Sequence, residues 1–161
     1  MIHIDSTLLD TVSRKAQTSP RLRINHNFHN SASDTLHRML NAVEPHSYVC
    51  PHKHENPNKR EAFIILKGSM LVVQFDNLGN ITDHTILNAQ KGNFGVEIPP
   101  ATYHTIVALE TGTVVYEVKD GPYDVTNDKG FATWAPQEGS SDGAEFLQLL
   151  LEKLGIDTLY K

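Results

Sequence analysis

The pattern of apolar and polar positions divides the chain into a short helix, a long series of strands and a second helix. Apolar residues recur at helical spacing between Leu8 and Ala16, after Asp5, whose side chain can cap a helix. The pattern breaks at Ser19-Pro20. Residues 1–20 are therefore predicted to form a peripheral arm with a helix over residues 5–16.

From residue 21 onward, short β-type stretches alternate with clusters of turn residues, such as the one at residues 77–80. This spacing is typical of an all-β sandwich or barrel, and we assign the barrel to residues 21–136. Residues 36–43 fit either a strand or a helix. The predicted strands are 22–29, 48–54, 62–66, 70–76, 82–88, 94–98, 104–108 and 114–119.

A helical pattern returns near the end of the chain, over residues 141–155. Asp142 and Glu145 stand three residues apart, as in a capping box, and Gly155 ends the pattern. The apolar face consists of Phe146, Leu149, Leu150 and Leu154. We expect this helix to pack on the barrel or on a second subunit, and we expect residues 1–161 to form a single domain.

Composition narrows the classes of function. The 161 residues are 39% hydrophobic and 20% charged, and their net charge of -5 argues against a protein that binds nucleic acid by neutralising phosphates. No apolar run suggests a membrane span or an export signal. Cys50 has no cysteine to pair with, which agrees with a reducing compartment. We therefore expect a cytoplasmic protein that works on small molecules.

Nine histidines occur in the chain, and three of them lie in a pattern that suggests a metal site. His52 and His54 are two residues apart, so in a strand they point to the same side and can bind one ion. Glu61 and His104 each begin an apolar run and can complete the site from neighbouring strands. Three imidazoles and one carboxylate suit one divalent transition metal, such as Zn, Fe, Mn or Ni.

These residues resemble the two motifs of the cupin superfamily. The first motif is H-x-H, a spacer, E, six residues and G, which His52, His54, Glu61 and Gly68 match; the second is P-x-G-x-x-H, which ends at His104. The resemblance implies a double-stranded β-helix, or jelly-roll barrel, with one metal bound by these three histidines and Glu61. Two departures matter. The six-residue spacer leaves Glu55 as a rival carboxylate, and Ala101 replaces the glycine of the second motif.

A narrower resemblance extends over most of the chain. It is carried by RINHNFH at residues 23–29, HRMLN at 37–41, SYVCPHKH at 47–54, GPY at 121–123 and WAP at 134–136. Together these runs look like the WbuC family of cupin metalloproteins. That resemblance implies a bacterial protein associated with surface-polysaccharide genes, and it leaves the reaction open.

The first predicted strand has an unusual polar face. Alternation places Arg23, Asn25, Asn27 and His29 on one side. On the outside of a barrel these residues would be solvated. Inside it they would bind an anionic or polyhydroxylated ligand, with Arg23 suited to a carboxylate or phosphate.

Tyr103, Glu117 and Lys119 are candidate acid-base groups, although their faces depend on a register that the sequence does not fix. The first hypothesis is a metal-dependent isomerase, epimerase or oxygenase acting on a sugar-like molecule. The second is a non-catalytic sensor or carrier that uses the same pocket. The expected partner is a small polar molecule, with neither nucleic acid nor membrane, and exposed sheet edges favour a homodimer.

Overall fold

The computed structural model describes residues 1–156. It contains two five-stranded antiparallel sheets, with a helix near each end of the described chain. The elements are α1 (Ser6–Gln17), β1 (Arg23–Asn27), β2 (Leu36–Val43), β3 (His52–Lys53), β4 (Glu61–Lys67), β5 (Met70–Phe75), β6 (Ile81–Leu87), β7 (Gly95–Ile98), β8 (Tyr103–Ala108), β9 (Thr113–Asp120), β10 (Gly130–Phe131) and α2 (Asp142–Lys153).

The strands are distributed between the sheets in the order β1-β2-β9-β4-β7 for the first and β10-β3-β8-β5-β6 for the second. Successive strands often cross from one sheet to the other, so residues distant in sequence become neighbours. In the first sheet, for example, Glu61 of β4 pairs with Lys119 of β9. This architecture confirms the prediction of an all-β barrel with short terminal helices.

The space between the sheets changes character along the barrel. Apolar side chains, among them Ile65, Val72, Ile106 and Val115, fill one part of it. Towards the start of β4 and β8 the inward positions become polar, with Glu61 two residues before Phe63 and His104 two residues before Ile106. Because side chains two apart in a strand share a face, each strand contributes to both the core and the polar end.

The helices cover the outer faces of the sheets. Val12 and Ala16 of α1 pack against Leu40 and Ala42 of β2, and Asp5 accepts a hydrogen bond from the Leu8 amide, as predicted for a cap. On the other sheet, Leu147, Leu150 and Leu151 of α2 pack against Leu71, Val73 and Val107. Both sheets are thus apolar on two faces, which explains the nearly continuous burial of β2, β5 and β8.

Three details differ from the sequence predictions. The predicted strand over residues 48–54 is reduced to His52–Lys53, and the short strand β10, which pairs with it, was not predicted. The capping box at Asp142 does not form, because α2 begins after Ser141 and no side chain there caps the helix. Residues 36–43, left open between strand and helix, form β2.

No described helix has the length and apolar character needed to cross a membrane.

Candidate metal centre and its cavity

Four buried side chains meet at the polar end of the barrel. His52 of β3 lies directly opposite His104 of β8, His54 follows β3, and Glu61 projects from the other sheet. Each is at most 5% exposed, and one ligand atom from each lies within 4.8 Å of all the others. The four residues predicted from the sequence as metal ligands are therefore brought together.

Backbone carbonyls orient all three imidazoles. His52 and His104 each place Nδ1 2.9 Å from the carbonyl oxygen of the residue two positions earlier, and Nδ1 of His54 bonds to the carbonyl of Asp128. A carbonyl oxygen can only accept, so each Nδ1 carries a hydrogen, and in the neutral ring Nε2 then presents a lone pair. This arrangement is the one that histidines have when they bind a metal through Nε2.

One of the three Nε2 atoms, that of His54, lacks the partner that a metal-free site would need. Nε2 of His54 is buried without a hydrogen bond and lies 3.6 Å from Oε2 of Glu61. Nε2 of His104 lies 2.8 Å from the same oxygen. A lone pair and a carboxylate oxygen attract each other only through a shared proton or a cation, and ligand atoms on one ion lie about 3.0 to 3.4 Å apart. The cluster can bind a metal ion.

The protonation states also suit a cation. Burial lowers the pKa of His52 well below its usual value, which keeps the ring neutral. Burial alone would raise the pKa of Glu61, but the hydrogen bond with Nε2 of His104 and the nearby ring of His54 outweigh it and hold that pKa well below the usual range. The site therefore offers a neutral imidazole at His52 and an ionised carboxylate at Glu61.

Both departures from the cupin motifs have a local explanation. Glu55, the rival carboxylate, turns away from the cluster and pairs with Lys53, with Nζ 2.7 Å from Oε2 and its side chain 39% exposed. The long spacer folds into a turn in which the Lys59 amide bonds to the His54 carbonyl. Ala101 has φ of 58°, a left-handed conformation that favours glycine, so this backbone matches the motif despite the substitution.

The cluster opens into a cavity of about 560 Å³. The polar face predicted for the first strand lines it, since Arg23, Asn25, Asn27 and His29 are all in its wall together with His52, Glu61 and His104. Asn25 and Asn27 are exposed there, and Nδ2 of Asn25 lies 3.2 Å from the sulfur of Met39. These two amides remain accessible to a ligand.

Arg23 and His29 already have protein partners. The Arg23 guanidinium lies 2.7 Å from Oε2 of Glu138 and donates to the Tyr48 carbonyl at 2.9 Å. The ring of His29 stacks on His37, with centroids 4.0 Å apart. An anion approaching Arg23 therefore meets a guanidinium that is already paired with a carboxylate.

Two of the three candidate acid-base groups line the cavity and one does not. Tyr103 is not among the cavity-lining residues of the described chain; it packs against Trp134 on the opposite face of β8, since adjacent strand residues point to opposite sides. Glu117 and Lys119 do line the cavity. Burial and the negative charge of Glu61 raise the pKa of Glu117 to about 8, and its Oε2 accepts from Nδ2 of Asn41 at 2.9 Å.

Several residues of the site were not predicted. Asn41 lines the cavity and its Oδ1 atom is buried without a hydrogen-bond partner. Asp128 joins the site through its carbonyl group and accepts hydrogen bonds from the side chains of Lys59 and Lys119. No local signal identifies these residues, because their contacts span large separations in sequence.

Comparisons with solved structures agree on the fold. An uncharacterised conserved protein from Klebsiella pneumoniae with a double-stranded β-helix domain has a TM-score of 0.55 at 14% identity, covering 82% of this chain and 98% of that one. L-ribose isomerase from Cellulomonas parahominis has a TM-score of 0.55 at 16% identity, covering 73% and 72%.

The capsular polysaccharide assembling protein CapF from Staphylococcus aureus has a TM-score of 0.54 at 19% identity. The match covers 78% of this chain but only 35% of CapF. Such low identities show a shared fold alone, and these neighbours support the expected cupin architecture.

No curated protein matches the sequence. A family model described as "Domain of unknown function (DUF6016)" matches residues 4–87, just over half of the chain, including the first cupin motif. The chain therefore belongs to the DUF6016 family, and within that family it has the fold of a cupin with a candidate metal centre.

Proposed function

We propose that this chain is a metal-binding cupin that binds, and acts on, a small polyhydroxylated or anionic molecule. One observation carries the proposal: four buried ligand atoms lie within 4.8 Å of one another beside a cavity with a polar wall. Ligand sites with convergent polar groups around a metal are typical of small-molecule binding and catalysis.

The metal is one divalent transition ion, Zn, Fe, Mn or Ni, held by His52, His54, Glu61 and His104. Such an ion polarises a carbonyl or hydroxyl group placed on it, and iron also activates dioxygen. The carbonyl partners of the imidazoles hold the Nε2 atoms towards the ion before it arrives. Little reorganisation is then needed for binding.

The cavity wall supplies groups that recognise hydroxyls. The amides of Asn25 and Asn27 are exposed in the cavity and can both donate and accept hydrogen bonds. Lys129 also lines the cavity, and no ion pair joins it to another described residue. With Arg23 paired to Glu138, Lys129 is the better placed cation for an anionic group.

An isomerisation or epimerisation needs a group that moves a proton next to the metal. Glu117 is such a group, because its buried carboxyl lies beside Glu61 and, in the metal-free protein, its pKa is raised to about 8. If the protein is instead a sensor or carrier, the same cavity binds the ligand and no turnover follows.

The proposal extends to the biological role of the protein. The runs that resemble the WbuC family suggest a role in bacterial surface-polysaccharide metabolism, in the cytoplasm, and two structural neighbours are named for a capsular polysaccharide and a sugar. A homodimer is part of the same proposal. These neighbours support a sugar-like ligand through their names and fold.

The test measures ligand binding and turnover with metal-loaded and chelator-treated protein. Aldoses, hexuronates and sugar nucleotides are incubated with protein loaded with Zn²⁺, Mn²⁺, Ni²⁺ or Fe²⁺, and binding and products are followed by calorimetry and NMR. We expect binding that needs the metal. Asn25→Ala should weaken it about 3- to 10-fold, the effect of one neutral hydrogen bond, with metal content unchanged.

Asn77→Ala is the matched control, because Asn77 is exposed outside the cavity wall. It should leave binding unchanged. Binding without turnover would select the sensor or carrier. Equal binding by loaded and stripped protein would contradict the proposed function.

A further inference from the structure

Asp128 is the centre of a buried ionic cluster next to the metal centre. Its Oδ1 lies 2.6 Å from Nζ of Lys59 and its Oδ2 lies 2.7 Å from Nζ of Lys119. The side chains of Lys59 and Asp128 are 2% exposed and that of Lys119 is 7% exposed. Lys59 also donates to the Pro122 carbonyl at 2.5 Å. The two lysines join Pro122 and Asp128 to the segment before β4 and to β9.

The backbone of the same residue holds a metal-site histidine. His54 Nδ1 bonds to the Asp128 carbonyl, 74 residues away in sequence, whereas His52 and His104 bond to carbonyls only two residues away. The orientations of His52 and His104 are therefore set within their own chain segments. That of His54 depends on where the segment around Asp128 is held.

We propose that Asp128, clamped by Lys59 and Lys119, is a positioning residue that sets the orientation of His54 in the metal centre. Because desolvation offsets the attraction within a buried ion pair, such a pair adds little to the stability of the fold. Its directional bonds nevertheless specify one geometry. Here that geometry places a carbonyl at Nδ1 of His54, which fixes the tautomer and points Nε2 at Glu61. The inference rests on the proposed metal binding.

Cobalt(II) is the probe for this role, because its visible absorption bands report ligand geometry and a chelator competition gives its affinity. The Asp128→Asn variant should bind Co²⁺ about 10- to 100-fold more weakly, the usual effect of losing a group that orients a ligand. Its bands should also shift in position and intensity. A residue that only stabilises the fold would leave the bands of the loaded protein unchanged.

Asp120→Asn is the matched control. Asp120 lies at the end of β9 and forms an exposed ion pair with Arg60, with Nε 2.8 Å from Oδ2, without contacting the histidines. This variant should keep the wild-type affinity within about twofold, as expected for a surface pair, and the wild-type spectrum.

Lys59→Met provides a second variant, because it leaves Asp128 paired with Lys119 and removes one side of the clamp. Lys59→Met should shift the Co²⁺ spectrum in the same direction as Asp128→Asn. If Asp128→Asn does not fold, the spectrum of Lys59→Met alone tests the positioning role. If the folded variants bind Co²⁺ with the wild-type affinity and spectrum, the positioning role of Asp128 is overturned, whereas the proposed metal binding is not. Failure of the wild type to bind Co²⁺ would overturn both this role and the proposed metal binding.

Discussion

Glu117 is a carboxyl group buried beside a second carboxyl group, Glu61. Burial and the neighbouring negative charge raise the pKa of Glu117 from 4.5 to about 8. The folded protein without metal therefore holds a proton that the unfolded chain releases above about pH 4.5. Stability associated with this group is present below that pH and is lost as the pH rises towards 8.

We predict that Glu117→Gln removes this loss, because glutamine stays neutral and can still accept from Asn41. In the chelator-treated protein, the variant should be more stable than the wild type at pH 8 by at least about 1 kcal/mol, the value of roughly one pKa unit. At pH 4.5 the two should agree closely. Urea unfolding at both pH values measures the difference, and a gap that does not grow with pH would contradict the prediction.

Individual ligands of the candidate site were predictable because their pattern is local. His52 and His54 share a strand face by alternation alone, and Glu61 and His104 follow from the resemblance to the cupin motifs. The clamp at Asp128 was not predictable. Lys59 and Asp128 meet across 69 positions, and neither residue type is unusual at its place in the sequence.

At the scale of elements, the turn between β4 and β5 depends on one glycine. Gly68 has φ of 76°, and a Cβ atom there would lie 2.4 Å from Oγ1 and 2.9 Å from the backbone Cα of Thr113. Thr113 is fully buried, and its hydroxyl bonds to the Ser69 amide and carbonyl. The turn and the start of β9 are thus packed backbone to backbone.

A residue other than glycine in this left-handed conformation costs about 1 to 3 kcal/mol. Gly68→Ala should lower the free energy of unfolding by more than this, because the added Cβ atom also clashes with Thr113. Gly92→Ala is the control, since Gly92 has φ of 81° and open space at its Cβ position. Denaturant unfolding of both variants separates the clash from the backbone cost. Equal destabilisation would show that the contact with Thr113 carries no energy.

Most strands were predictable from alternation and turn residues, and the exceptions are instructive. Residues 48–51 have a strand-like composition, but Thr105 bonds to the Val49 carbonyl through its side chain, and Pro51 lacks an amide hydrogen for a ladder. Strand β10 has two residues and exists only through its pairing with β3. Tertiary contacts, which the local pattern does not contain, define both segments.

At the scale of the whole molecule, the barrel brings parts of the chain that are distant in sequence to one cavity. Alternation predicted that Arg23, Asn25, Asn27 and His29 share a face, but it left open whether that face is inside. The fold decides this, because α1 covers the opposite, apolar side of β1 and β2. Polar residues therefore line the cavity, where Asn25 and Asn27 remain exposed.

This arrangement also links the metal to the stability of the barrel. Ligands come from both sheets, with His52 and His104 on one and Glu61 on the other. An ion that binds the folded state and not the unfolded chain stabilises the fold in proportion to the logarithm of its concentration over the dissociation constant. Metal binding should therefore raise the thermal midpoint of the wild type.

The most direct measurement is a Zn²⁺ titration of chelator-treated protein by calorimetry, with His54→Ala beside the wild type and His84→Ala as the control, since His84 is exposed on β6. We expect one ion per wild-type chain, affinity lowered more than about 100-fold by His54→Ala, and no change with His84→Ala. No binding by the wild type, or equal binding by His54→Ala, would contradict it.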